Sequence, residues 1–313
     1  MKFSNLNISV KDLKKAIPAE LSVKKNEKLA CRDPFILLYG DKYYLYRSAG
    51  AAGIQCCVSD DLENWSTPIT VFTPPADFHG VKDFFWAPEC HYYKGNFYIF
   101  TSVFSSVSNH RNVSVYRADN PLGPFEDIAN GSVTPSEWDT IDGTLYVDGK
   151  GQPWLVFVHE WTSMPDKNGS MAIAKLSDDL THLVSEPVDI FRARDKEWAT
   201  HGVTDGPYLY RTEEGRLLMI WSNFSKNGYV IAKVYSESGE IEGPWKHEDE
   251  FLYAKGLKPT YTVDGGHGMI FQKKDGTTVL SFHGPNAKQS NGDFEHLILK
   301  TIVEIDGTIR LAD

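Results

Sequence analysis

Thr204–Ser222, TDGPYLYRTEEGRLLMIWS, sets the pattern of the chain. An acidic residue stands beside Gly-Pro and an apolar strand follows. Glu214-Gly215 turns the chain, and a second apolar strand ends in Trp-Ser. Four other stretches share this plan: RDPFILLYGDKYYLYRS from Arg32, APECHYYKGNFYIFTS from Ala87, IDGTLYVDGKGQPWLVFVHE from Ile141 and GGHGMIFQKKDGTTVLSFH from Gly265. Aligned on the second strand, at Tyr44, Tyr98, Trp154, Leu218 and Leu280, the copies recur about every 54 to 64 residues. That is slightly above the ~40–50 residues of common propeller repeats and leaves room for long insertions.

Each copy continues into a third segment: IQCCVSDDLENWS from Ile54, NVSVYRADNPLGPF from Asn112, MAIAKLSDDLTHL from Met171, YVIAKVYSESGEIEGPW from Tyr229 and HLILKTIVEIDGTIRL from His296. Alternating β-branched and apolar residues followed by Asp, Gly, Asn or Pro predict a strand and then a hairpin. The phrase SDDL occurs at both Ser59 and Ser177, and its four acids, Asp60, Asp61, Asp178 and Asp179, are expected to be turn residues. Helical periodicity is absent after residue 30. The expected fold is all-β, a single five-bladed β-propeller over residues 29–313. A lysine-rich extension, residues 1–28, is expected to form a short helix and an approach strand. The polar residues heading the copies, Asp33, Glu89, Asp142, Asp205 and His267, then begin the innermost strands and meet on the axis.

The net charge of −10 excludes a nucleic-acid partner, which needs a basic face. No run of 18 apolar residues exists to span a membrane. The four cysteines, Cys31, Cys56, Cys57 and Cys90, include an adjacent pair and no CxxC, so they are expected to be reduced and buried. The N-terminus lacks a continuous apolar stretch of the signal-peptide kind, and a cytoplasmic protein is the expectation.

Carboxylates converging on one axis beside aromatic residues are the equipment for cleaving a glycosidic bond. One carboxylic acid protonates the leaving oxygen, while an ionised partner activates water or attacks the sugar. Asp33, Asp142 and Asp205 are the candidates. Phe85, Trp86, Trp161 and Trp221 are candidate flat faces for a sugar, with Glu89 and His283 as polar substrate contacts. A single Asp before Gly or Pro is ordinarily a turn residue bonding its own backbone. Several such heads in matching copies are not explained by turn chemistry, which does not require acids to meet.

From residue 30 to about 312, these phrases resemble glycoside hydrolase family 43. The resemblance implies a five-bladed propeller of inverting enzymes, mostly α-L-arabinofuranosidases, β-xylosidases and arabinanases, with a small oligosaccharide as substrate. It implies Asp33 as the general base, Asp142 as the residue that tunes the acid and orients it, and Asp205 as the general acid. It places His267 near a calcium or other ion that some members hold on the axis, with no cofactor required for the chemistry. Two departures stand out. The acid position usually carries Glu in an EGP phrase, and one methylene less retracts the carboxyl by ~1–1.5 Å. Glu160, then Glu89, are the substitutes. An Arg common after the last FH phrase is also missing, with only Lys288 nearby.

Zinc chemistry is not expected, because His267, His283, His201 and His159 lack any tight ligand spacing. The expected function is an inverting exo-glycosidase for arabinose- or xylose-containing oligosaccharides. The alternative is a propeller that binds sugars without cutting them, and a retaining fructosidase is disfavoured because no NDP phrase occurs. The sequence leaves the oligomeric state open.

Overall fold

The computed structural model describes residues 24–26, 29–50, 52–129, 131–286 and 292–312. Within them lie five four-stranded antiparallel sheets, each built from strands in chain order, with only the short Asn64–Trp65 strand intervening in blade 1. The innermost strands are Arg32–Tyr39, Trp86–Tyr93, Thr140–Val147, Asp205–Arg211 and Gly266–Gln272 in blades 1 to 5. Each touches its neighbours on both sides, and blade 5 meets blade 1, so the ring closes as a five-bladed β-propeller. Among the described residues no strand is shared across the closure. Instead Ala30 bridges to His296, and the Cys31 N–H donates to the Glu295 carbonyl at 3.0 Å.

The strands follow from the sequence locally. A left-handed glycine turns the first hairpin of every blade, at Gly40, Gly95, Gly151, Gly215 and Gly276, where φ is 57° to 90°. Both SDDL phrases make one turn. The Ser59 hydroxyl accepts the Leu62 N–H, the Ser177 hydroxyl accepts the Thr181 N–H, and Leu62 and Leu180 both take φ near 65°. Asp61 and Asp179 cap these turns, as expected. Apolar residues from facing blades fill the gaps between sheets, so the core is a ring of inter-blade clusters. All four cysteines are buried and stand outside any disulfide. Among the described residues there is no α-helix, and none long and apolar enough to cross a membrane. Lys24–Lys25 pairs with Asn64–Trp65 beside blade 1, and the helix expected before it lies outside the described residues.

One irregularity recurs in all five innermost strands. Two residues oppose a single partner at 33/34, 87/88, 142/143, 206/207 and 267/268. The first of each pair is left-handed: Asp33, Ala87, Asp142, Gly206 and His267, with φ between 48° and 54°. The second is always Pro or Gly. Such a bulge bends the strand and re-aims a side chain, here toward the axis. The Asp-Pro and Asp-Gly heads are therefore bulge residues and axial residues at once. The expected common register needs correcting at two heads. Glu89 stands two residues beyond its blade's bulge, and Asp205 one residue before its own, because Ala87 and Gly206 occupy the equivalent positions.

Candidate active site

The bulges of blades 1, 3 and 5 carry Asp33, Asp142 and His267 into one cluster. His267 Nδ1 lies 3.2 Å from Asp33 Oδ1 and 3.6 Å from Asp142 Oδ2. All three are buried, at 8, 4 and 8% exposure. Asp205 joins them from the edge of the blade 4 bulge. Its Oδ2 accepts the Tyr229 hydroxyl at 2.8 Å, and it interacts electrostatically with Asp142, His267 and Asp33. The three aspartates expected to meet do so, around a histidine.

The four groups differ in proton affinity. Burial alone would raise Asp33, but His267, Arg32 and the Ser48 hydroxyl, donating to Oδ2 at 2.7 Å, hold its carboxyl below the usual range. His283 does not act as a cation here. Burial pushes it down to about 4, and its Nδ1 accepts the Asp33 N–H at 3.2 Å. His267 goes the other way. Burial opposes its charge, yet Asp33, Asp142 and Asp205 outweigh burial and raise it. Asp205 is pushed up to about 7, by burial first and then by the Asp142 charge. Burial and the nearby Asp33 charge also raise Asp142, against the pull of His267 and a hydrogen bond from the Gly206 N–H. Because Asp142 accepts that N–H and faces His267, it ionises before Asp205. One cluster thus holds an ionised Asp33 and a protonated Asp205 near neutral pH.

Several expected contacts are corrected. Trp221 is fully buried in the packing between blades 3 and 4, and Phe85 is buried against Phe72, Phe78 and Tyr116, so neither offers a face to a sugar. His283 is likewise inaccessible, because it caps the Asp33 backbone. Glu89 is buried two residues past its bulge, bonded to His91 Nε2 at 2.9 Å. Trp86 and Trp161 are 40 and 39% exposed. The Arg111 guanidinium stacks 3.6 Å from the centre of the Trp86 ring, and interacts with Glu160 and Asp142. Glu160 is half-buried, and burial together with Asp139 raises its carboxyl. Lys288 lies outside the described residues.

Sequence reasoning missed Tyr229, Ser48, Arg111 and Phe84, which is 51% exposed with φ at 57°. A signal for the serine was present, because the second strands of blades 1, 2 and 4 carry YRS, FTS and IWS at matching positions. Calcium takes six to eight oxygens; one oxygen each of Asp33, Asp142 and Asp205 accepts a bond from Ser48, Gly206 or Tyr229, so an ion on the axis would draw most of its ligands from water. His267 Nδ1 faces both the Asp33 and the Asp142 carboxylates, the position of a proton donor. Among the described residues no group of three or more His, Cys, Asp or Glu side chains could hold a metal ion.

Comparison with known proteins gives the family and the fold. The sequence model of Glycosyl hydrolases family 43 matches residues 28–309. An extracellular exo-α-(1→5)-L-arabinofuranosidase of Cellvibrio japonicus is 33% identical over 162 residues, 48% of this chain and 44% of that enzyme. An extracellular endo-α-(1→5)-L-arabinanase of Bacillus subtilis is 24% identical over 74% of this chain and 72% of its own. The chain thus spans less than half of the first of these relatives. A solved endo-arabinase from Bacteroides thetaiotaomicron superimposes with a TM-score of 0.80 at 34% identity, covering 91% of this chain and 98% of that one. The cytoplasmic expectation is overturned here, since both curated relatives are named extracellular.

Proposed function

The chain belongs to glycosyl hydrolases family 43, and on that premise we propose that it hydrolyses glycosidic bonds of arabinose- or xylose-containing oligosaccharides with inversion. The observation that carries this reading is the convergence of Asp33, Asp142 and Asp205 from three blades around His267, with Asp142 bonded to the peptide that follows Asp205. Asp33, ionised and held by Ser48, takes a proton from water as the water oxygen attacks the anomeric carbon. Asp205, protonated up to about pH 7, gives its proton to the departing oxygen. Asp142 keeps that proton on Asp205 by its own negative charge. His267 offsets the charge of the two ionised neighbours, which would otherwise repel. Trp86, Trp161 and Phe84 supply exposed faces for sugar rings.

The reading is tested by incubating the protein with p-nitrophenyl α-L-arabinofuranoside and β-xyloside, and with arabino-oligosaccharides. Release of single sugars from chain ends, with the anomer inverted by NMR, is the expected outcome. Full activity in Asp33→Asn would refute the mechanism. Asp205 is one methylene shorter than the family's usual acid, which favours a second reading, sugar binding without turnover. Calorimetric binding of arabino-oligosaccharides with no product would select it.

A further inference from the structure

Each left-handed bulge residue presents a backbone N–H to the preceding blade, and a buried N–H must find an acceptor. In four of the five blade junctions that acceptor is a side chain at one register position. Ser48 Oγ takes the Ala87 N–H at 2.8 Å, Ser102 Oγ the Asp142 N–H at 3.0 Å and Ser222 Oγ the His267 N–H at 2.8 Å. His283 Nδ1 takes the Asp33 N–H at 3.2 Å, closing the ring. Ser48, Ser102, Ser222 and His283 sit opposite Arg32, Trp86, Asp205 and Gly266 respectively, the residues just before the bulges. In blade 3 the equivalent residue, opposite Ile141, is Val158, which is buried and has no acceptor. The Gly206 N–H left over goes to Asp142 Oδ2 at 2.9 Å.

We propose that the missing acceptor at Val158 is what locks the Asp142 carboxylate to the backbone of blade 4, making residue 158 a positioning residue for Asp142 and, through it, for Asp205. The inference rests on the hydrolytic reading above for its consequence, though not for its geometry. Asp142 is pinned at both ends, its N–H by Ser102 and its Oδ2 by Gly206. Gly206 directly follows Asp205, so Asp142 is anchored one peptide from the acid. A carboxylate accepting an N–H is favoured in its ionised form. The single proton of the pair therefore stays on Asp205, where it is useful. Position 206 also has to be glycine, because a Cβ there would lie 2.8 Å from the His267 ring at a φ of 51°.

Val158→Thr tests this, since it adds a hydroxyl to a side chain of nearly the same shape. Val158→Ser supplies the same hydroxyl if threonine is not accommodated. In the wild type, the Gly206 amide resonance should move with pH as Asp142 titrates. In Val158→Thr the hydroxyl captures the N–H and that movement should collapse. The control Val158→Ala, which opens space without an acceptor, should keep it. In turnover, the pair's proton shifts toward Asp142, so kcat should fall about tenfold or more with KM little changed. An unaltered Gly206 titration in the hydroxyl variants overturns the proposal. So does its loss in Val158→Ala, or an unaltered kcat where the wild type turns over. If the wild type cleaves nothing, the hydrolytic reading fails and the amide measurement still decides the positioning.

Discussion

Removing the one hydroxyl that donates to the acid should move the alkaline limb of activity upward. Tyr229 is buried, and its O–H donates to Asp205 Oδ2 at 2.8 Å, a bond that lowers the proton affinity of Asp205. Tyr229→Phe keeps the ring and deletes only that donor. A hydrogen bond to a charged acceptor contributes about 1.5–3 kcal/mol, and one to a neutral acceptor about 0.5–1.5. The difference, about 1–1.5 kcal/mol, is the extra stabilisation that ionised Asp205 loses, and it corresponds to roughly one pH unit. The alkaline limb of kcat/KM, set in the wild type by a carboxyl at about 7, should therefore rise to about pH 8. The assay is kcat/KM from pH 4 to 9 on whichever aryl glycoside the wild type cleaves, with circular dichroism to confirm the fold. A limb that stays in place, or moves to lower pH, would refute the assignment of Asp205 as the acid.

Asp33→Asn and Asp205→Asn should each lower kcat by about 10²–10⁴-fold, the usual range for a lost general acid or base, whereas Glu160→Gln should not; a severe loss in Glu160→Gln by steady-state kinetics would transfer the acid role to it. Asp205 should also make stability depend on pH. Its raised affinity stabilises the fold fully below the ordinary value of 3.8, and this is lost as pH rises through about 7. The thermal midpoint should fall between pH 5 and 8, and calorimetry should find that slope flattened in Asp205→Asn. Asp33 works in the opposite sense, its stabilisation being lost as pH falls below 3.8. Ser48→Ala removes both the donor to Asp33 and the acceptor for the Ala87 N–H, and should lower stability by about 1–3 kcal/mol in urea titrations along with kcat.

Much of the architecture is local and was therefore legible in the sequence. Strand alternation, a left-handed glycine in each hairpin and the SDDL turns depend on neighbours a few residues apart. Five such copies have nowhere to bury their apolar faces except against each other, so the ring of blades follows. Asp33 and Asp142 were legible too, because the Asp-Pro and Asp-Gly dipeptides that mark them are the bulges that aim them, whereas Asp205 stands one residue before its bulge. Only packing could decide which of the aromatic residues face outward. Phe84 and Phe85 are adjacent, yet one is exposed and the other sealed between blades 1 and 2, through contacts with residues distant in the chain. The protonation states were likewise tertiary, since Asp33, Asp142 and Asp205 share one residue type and differ only in what surrounds them. Sequence determines which chemical groups are available at each turn of the chain. Distance, burial and the partners of each hydrogen bond exist only once five separate blades have closed around one axis.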